Sequence, residues 1–593
     1  GRLMFLASEP IEWFHCHIAR RPTPPAELVR GVPVALSNLT MKLLEKNAEN
    51  RYQSAHGILA DLEQCQILLR EGQELAAFPL GSKDIPERFR IPAKLYGREK
   101  ALRELTRAFD NAYDRMSVAL VAGQSGNGKT SLINELYKPI TARKSYFIRG
   151  KFDQLHRDIP YSGLTVALRD LMRQVLTESP QRIAELRSRL QASLGGNARL
   201  MTDMIPELEL ILGEQPEVEP LAALESEQRF RLTLFSFFRV FSTGEHPLVL
   251  VLDDLQWADN STLRLADLLV DQEEGEHLLV IGAYRDNEIT PDHPLVGILA
   301  ELSKTDTPIT AIRVDPLALA DVTQMLADTL HAEPGDVAPL AALVLQKTGG
   351  NPFFIDEFLQ EQYRQGNITF DQHKGNWTWD PEQLDQQQIT DNVAELMSRK
   401  LQRLSPATNK LMQLAACAGN RFTLDTLSLM TQASPQKVAA AARQAIQEGL
   451  IRPIRDAWQL TELEQGKVAD QALTIEFVFI HDRIQEAAYE QMPLATREKA
   501  HWRIGHLLLE ACNHTPHDDM LFAIVNHLNL SSRLITTDEQ RLEVCQLNLK
   551  AGQRARLAAS YSIAFGHFQK AIHLYGEGKR IWNSHYDLAL ALY

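Results

Sequence analysis

An apolar run, SVALVA at 117–122, leads straight into GQSGNGKTS at 123–131, and this junction constrains the fold more than any other stretch of the chain. The spacing is that of a phosphate-binding loop, G-x-x-x-x-G-K-[ST], between a strand and a helix. Gly123, Gln124, Ser125, Gly126, Asn127 and Gly128 form the loop, and Lys129, Thr130 and Ser131 open the helix TSLINELYKPI. Glycines let backbone amides close around phosphate oxygens, and the helix N-terminus adds positive dipole. Lys129 is placed to reach the β- and γ-phosphates, and Thr130 to ligate Mg²⁺. The expected fold class is an α/β P-loop core, with a parallel sheet and helices on both faces.

Such a loop needs a carboxylate for the metal at the tip of a neighbouring strand. PLVLVLDDLQWAD at 247–259 supplies Asp253 and Asp254 after five consecutive apolar residues, the pattern of a strand buried on both faces. Asp253 is the expected second Mg²⁺ ligand, and Asp254 the group that would polarise an attacking water. The next apolar strand, HLLVIGAYRDNE, ends in Arg285, a cation positioned to sense a γ-phosphate, or else a surface arginine paired with Asp286 or Glu288.

The 593 residues have room for about three to five domains at roughly 150 residues each. A net charge of −14 opposes a main role in coating nucleic acid, which calls for a basic footprint. Apolar runs such as LVLVL are too short to span a bilayer. Five scattered cysteines (Cys16, Cys65, Cys417, Cys512, Cys545) without a CxxC pair suit reduced thiols in a cytoplasmic protein. Residue 1 is Gly, and both ends run through structured-looking sequence, so a fragment of a longer polypeptide is expected.

Seven ordered motifs carry a family resemblance: LYGRE at 95–99, the phosphate loop, GKFDQ at 150–154, LDDLQWAD at 252–259, IGAYRDNE at 281–288, GGNPFFIDEFL at 349–359 and FIHDRIQEAAY at 479–489. Over residues 90–500 the chain resembles the STAND-type (AAA-like, signal-transducing) ATPase modules of large bacterial multi-sensor kinases, both Ser/Thr and hybrid histidine. The resemblance implies a slow ATP/ADP switch rather than a motor. It implies that Gly97 and Arg98 sit by the nucleotide, that Pro352 packs near adenine from a helical lid, and that His481 reaches the ADP β-phosphate from a winged helix. For His481 the alternative is a core histidine followed by an exposed acid.

The flanks divide as follows. Residues 1–70 resemble the end of a Ser/Thr protein-kinase lobe, with Arg51 of ENRYQSA at a structural arginine, but lack kinase catalytic motifs. Residues 71–94, with three prolines and two glycines, read as a linker. The P-loop core is expected over 95–317, the lid over 318–390 and the winged helix over 391–495, where Ser434 reads as an N-cap. Residues 496–593 are expected to be helical and TPR-like, because Gly552, Ala564, Phe568 and Ala571 have small-and-aromatic repeat spacing. Such repeats would offer a surface to a sensor or partner protein.

Two short motifs are decoys. His156-Arg157-Asp158 lacks the Asn and Asp-Phe-Gly of a kinase catalytic loop, and His15-Cys16-His17 lacks a second ligand pair for zinc. The expected partners are kinase output domains on the same full-length polypeptide. Three alternatives stay open: a nucleotide-stabilised scaffold, a piece of a protein kinase, and a DNA-binding loader ATPase.

Overall fold

The computed structural model describes residues 4–5, 13, 16–17, 20–46, 50–70, 78–82, 84, 89–143, 145–154, 157–219, 221–244, 246–269, 277–304, 307–371, 376–380, 384, 393–454, 475–512, 514, 518–575 and 585–592. Its centre is a five-stranded sheet. In chain order the strands and the helices named below are α1 (Glu99–Asn111), β1 (Ser117–Ala122), α2 (Lys129–Glu135), β2 (Phe147–Lys151), α3 (Ser162–Val175), α4 (Ala223–Phe241), β3 (Leu248–Asp253), β4 (Leu278–Tyr284) and β5 (Ile309–Arg313). The strand order is β2-β3-β4-β1-β5, and every pairing is parallel.

Helices cover both faces, so the central strands are apolar throughout rather than alternating. Every residue of β3 is buried. On one face Leu105 and Phe109 of α1 and Leu132 and Ile133 of α2 pack against Val249 and Ile281. On the other, Leu168 and Leu171 of α3 and Phe237 and Phe238 of α4 pack against Leu250 and Leu278. Burying each such side chain contributes about 1.5–3 kcal/mol. Parallel strands aim their carboxyl ends the same way, so the loops after β1, β3 and β4 converge on one crevice.

The region expected to form the lid follows as α5 (Leu319–Leu330), α6 (Pro334–Thr348) and α7 (Pro352–Arg364), with a hairpin of β6 (Ile368–Asp371) and β7 (Asn376–Trp379). Gly349, at φ 60°, ends α6 in the left-handed conformation that glycine adopts without strain. The stretch read as linker is not wholly free of structure. Phe89 stacks on Tyr363 at 4.9 Å and meets the edge of Trp377 at 5.4 Å, and Ile91 joins the same apolar cluster. Proline and glycine frequency flagged the segment as irregular, which does not stop an irregular segment from being packed.

A second helical unit contains α8 (Pro406–Ala418), β8 (Arg421–Thr423), α9 (Leu424–Thr431), α10 (Pro435–Gln447), β9 (Ile451–Pro453), β10 (Glu476–Phe479) and α11 (Asp482–Glu490). Its antiparallel sheet runs β8-β10-β9. Ser434 occupies the N-cap of α10 but makes no side-chain cap bond, and Pro435 fills the first helical position. Among the described residues five further α-helices follow: α12 (Leu494–Ala511), α13 (Asp518–Leu530), α14 (Asp538–Leu557), α15 (Tyr561–Tyr575) and α16 (Tyr586–Leu592). Gly552 lets α14 and α15 touch, since a Cβ there would lie 2.2 Å from the Phe568 ring. Ala564 and Ala571 are buried on the same helix pair.

At the N-terminal end lie helices Val34–Leu43 and Ala55–Arg70, and between them Arg51 Nε donates to the Glu45 carbonyl at 2.8 Å. Among the described residues no helix is long and apolar enough to cross a membrane, and no cluster of three His, Cys, Asp or Glu could hold a metal. His15 and His156 lie outside the described residues.

Candidate nucleotide site

The loop between β1 and α2 owes its shape to its glycines. Gly123, Gly126 and Gly128 have φ of 155°, 86° and 90°. A Cβ on Gly123 would meet the Val314 carbonyl at 2.5 Å, and one on Gly126 would meet Asn351 Oδ1 at 2.6 Å and Phe353 Cβ at 2.9 Å. The lid therefore presses directly on the loop. Asn351 caps α7, accepting from the Phe353 amide at 3.0 Å. Its Nδ2 donates to the Ser125 carbonyl at 2.9 Å and to Asn127 Oδ1 at 3.2 Å. Asn127 Nδ2 in turn donates to the Val314 carbonyl at 2.9 Å. Pro352 is the first residue of α7 and stands next to this contact, whereas Asn351 makes the bonds.

Lys129 is buried, and its ammonium donates to the Gly123 carbonyl at 2.7 Å and the Gln124 carbonyl at 3.1 Å. Burial, with Arg285 nearby, pulls its pKa below the ordinary lysine value. Thr130 Oγ1 donates to Asp253 Oδ2 at 3.1 Å, so the two expected metal ligands are in mutual contact. Arg149 of β2 pairs with that same carboxylate oxygen. The set fits a hard divalent cation: a hydroxyl and a carboxylate side by side at a strand tip, beside an anion cradle. Ser131 follows on α2 and is exposed.

Arg98, which the resemblance places by the nucleotide, touches the loop through its guanidinium. It is buried, donating from Nη2 to the Asn127 carbonyl at 3.2 Å and the Asp315 carbonyl at 2.5 Å. Its guanidinium ties the phosphate loop to the exit of β5. Gly97, at φ 63°, lies against Asp321, whose carboxylate a Cβ would strike at 2.4 Å.

The most charged part of the site lies at the ends of β3 and β4. Asp254 is buried with φ 59° and ψ 47°, a left-handed conformation costing about 1–3 kcal/mol for a non-glycine residue. Its Oδ1 accepts from Gln256 Nε2 at 3.0 Å and lies 3.3 Å from Arg285 Nε, while Lys151 Nζ is 3.4 Å from Oδ2. Arg285 is not at the surface. It is 2% exposed, stacks on the Trp257 ring at 4.6 Å and pairs with Glu288 at 2.9 Å.

A further partner comes from far along the chain. Asp482, the first residue of α11, accepts from Arg285 Nη2 at 2.7 Å and from Lys151 Nζ. Arg483 reaches back to Glu288 at 2.7 Å. Burial alone would raise the Asp482 carboxyl, but Lys151, His481 and Arg285 hold it well below the usual carboxylate range. Burial, with the Asp482 charge beside it, pushes Asp254 up to about 7.

His481 sits between the two contacts. Its ring is 4.4 Å from that of Phe353, the residue against Gly126, and its Nδ1 accepts from the Arg483 amide at 3.1 Å. Burial pushes its pKa down to about 4. A neutral ring whose Nδ1 accepts carries its proton on Nε2. Reading the sequence missed Arg149, Gln256, Asn351 and Asp482 as site residues. Asn351 and Asp482 stand inside motifs singled out for a neighbour, Pro352 and His481, and that adjacency was the available signal.

Residues 94–281 match the family model of the AAA ATPase domain. That span contains the phosphate loop, Asp253 and Asp254, and ends before Arg285, Pro352 and His481. The chain is 30% identical to hybrid signal transduction histidine kinase G of Dictyostelium discoideum over 718 aligned residues, covering 100% of this chain and 21% of that protein. It thus spans about a fifth of this relative, which is eukaryotic where the motif resemblance pointed to bacterial kinases. Over 62 residues it is 37% identical to serine/threonine-protein kinase PknB of Mycobacterium leprae, covering 10% of each chain. A STAND protein with a tetratricopeptide repeat sensor from Pyrococcus horikoshii superposes with a TM-score of 0.41 at 14% identity, covering 84% of this chain and 60% of that one.

Proposed function

We propose that this chain is a nucleotide-dependent regulatory switch within a larger signalling kinase, held closed by its own C-terminal units. The observation that carries the reading is the placement of Asp482. Its carboxylate occupies Arg285 and Lys151 at the strand ends beside the phosphate loop, where a γ-phosphate would need a cation. An internal anion there competes with a third phosphate and tolerates a diphosphate.

In the closed state ADP would lie in the Gly123–Ser131 loop, with Lys129 turned from the loop carbonyls to its phosphates. Thr130 and Asp253 would hold Mg²⁺, which when bound neutralises phosphate charge. His481 Nε2–H would donate toward the β-phosphate, and Pro352 would pack near the base. Arg98 would hold the loop in shape. Release of Asp482 would free Arg285 for the γ-phosphate, and Asp254, freed of Arg285, would accept a proton from water and allow slow hydrolysis. Nothing switches unless ATP binds the released form better.

The flanking parts fit this reading. The N-terminal segment would be the tail of a Ser/Thr kinase lobe, the C-terminal helices a sensor or partner platform, and the output a kinase domain on the full-length cytoplasmic polypeptide, in keeping with the histidine-kinase relative. The test is to denature the purified chain and identify its nucleotide by chromatography. Near-stoichiometric ADP in the wild type, absent from Lys129→Ala, is expected. A chain that purifies empty and exchanges ATP rapidly would sink the closed-switch reading.

A further inference from the structure

The carboxylate oxygen that faces Thr130 already has its full set of donors. Asp253 Oδ2 accepts from Thr130 Oγ1 at 3.1 Å and from Arg149 Nη2, while Oδ1 accepts from the Asp254 amide at 3.2 Å. A carboxylate oxygen offers about two lone-pair sites, so both of those on Oδ2 are taken. The strand pairing puts Arg149 there. β2 runs in register with β3, with Arg149 beside Val251 and Lys151 beside Asp253, and residues two apart on a strand share a face. Arg149 has a second hold, from Nη1 to Asn134 Oδ1 at 3.2 Å, in the last turn of α2.

The two donors on Oδ2 differ in what they can do for a metal. A threonine hydroxyl both donates and accepts, so Thr130 can turn its proton away and offer oxygen. A guanidinium only donates and stays charged, so Arg149 can never become a ligand. A divalent ion shared by Thr130 and Asp253 needs a lone pair of Oδ2, and the guanidinium must yield it. Asp253 is 5% exposed and stays where it is, whereas the Arg149 side chain is 28% exposed and Asn134 is at the surface. The arginine can therefore withdraw toward Asn134.

We propose that Arg149 is a resident counter-ion of Asp253 that a divalent metal has to displace, and that it sets the metal affinity of the nucleotide site. The inference deepens the switch reading and rests on its assignment of Thr130 and Asp253 to the metal. Arg149 stands to the metal as Asp482 stands to the γ-phosphate: each side chain supplies the charge that the ligand would bring. Metal occupancy then follows metal concentration, because each ion bound must also break an internal ion pair.

The probe is Mn²⁺, followed by electron paramagnetic resonance as it is titrated into the whole chain loaded with one equivalent of ADP. Arg149→Gln should tighten Mn²⁺ binding by about tenfold, the lower end of what a partner of a metal ligand changes. The sign decides. A residue that merely oriented Asp253 would weaken the metal when removed. Arg149→Lys keeps a cation and should fall between wild type and Arg149→Gln. Asn134→Asp draws the guanidinium away from an exposed position, so it should also tighten Mn²⁺ binding, and should do less alongside Arg149→Gln. Unchanged or weaker binding in a folded, ADP-loaded Arg149→Gln overturns the proposal. If that variant does not fold, an unchanged affinity in Asn134→Asp overturns it. Two other failures read differently, and the proposal falls with either. If ADP binds and Asp253→Asn leaves Mn²⁺ unaffected, the metal assignment is wrong. If ADP never binds, the switch reading itself is wrong.

Discussion

Two contacts join the later parts of the chain to the phosphate site, and they are built from opposite materials. At the lid, Asn351 and Phe353 press on Gly126 through amide hydrogen bonds and close packing, with no formal charge. At the strand ends, Asp482 meets Lys151, Arg285 and Asp254 in a cluster of buried charges. A neutral close-packed contact fixes loop shape and responds little to ions. A buried charge cluster is poised, because a ligand, proton or phosphate that changes one charge changes the balance of all. On the proposed reading, the first contact serves formation of the site and the second its regulation.

The largest effect on nucleotide affinity should come from breaking the neutral contact. Gly126→Val puts side-chain atoms where Asn351 Oδ1 and Phe353 Cβ lie within 2.6 and 2.9 Å of the first added carbon, at a φ of 86°. Strain and lost loop shape together should weaken ADP binding by at least about 100-fold, equivalent to about 2.7 kcal/mol. Calorimetric titration checks this. Near-normal affinity would mean that lid and loop are not in register when nucleotide is bound.

Next comes the charged contact. Asp482→Ala leaves the buried Arg285 short of one carboxylate, a loss of about 3–5 kcal/mol for a fully buried pair. Lys151 retains 34% exposure, which places the expected cost near the lower end. ADP release should quicken by about 100-fold, with affinity for ATP raised. Stopped-flow displacement of a fluorescent analogue measures it. An unchanged off-rate would assign closure to the lid alone.

Acidity should separate two titrating groups of the charged contact. Asp254, raised to about 7, contributes stability at low pH that is lost as pH rises through about 7. His481, depressed to about 4, contributes stability present above its ordinary 6.5 and lost as pH falls from there toward about 4. The two oppose each other between pH 5 and 7, so the wild-type melting temperature should change little there. Asp254→Asn should leave the histidine alone and make the protein less stable on acidification, by about 2 kcal/mol across the window. His481→Gln should do the reverse. Parallel profiles for both variants would remove these groups from the contact.

The two contacts also differ in how far the sequence revealed them. The candidate phosphate loop, Asp253 and Asp254 are runs of adjacent residues whose chemistry is local, so spacing was enough to nominate them. Arg285 was legible as a cation at a strand tip, yet its burial was not, since Trp257 and Asp482 arrive from elsewhere. Lys151 and Asp482 are 331 positions apart, and no periodicity joins them. His481 attracted the functional reading, while its neighbour, the first residue of α11, makes the ionic contact. Arg98 shows the converse: its motif was visible, but only three dimensions reveal its carbonyl partners on the loop and after β5.

The smallest effect belongs to a charge pair outside either contact. Arg364, at the end of α7, meets Glu448 after α10 at 3.2 Å, linking the lid to the unit that carries Asp482. It resembles the Asp482 cluster in chemistry and differs in solvent, since its side chains are 39% and 41% exposed. Water screens the attraction, and ordering two long side chains offsets much of what remains. Arg364→Ala should therefore change stability by under about 0.5 kcal/mol and leave ADP release within about twofold of wild type. Melting and displacement measurements at low salt, where such a pair is strongest, give the stringent comparison. A release rate matching Asp482→Ala would show that closure depends on the lid's alignment with the C-terminal unit, and that burial is not what makes the Asp482 cluster decisive.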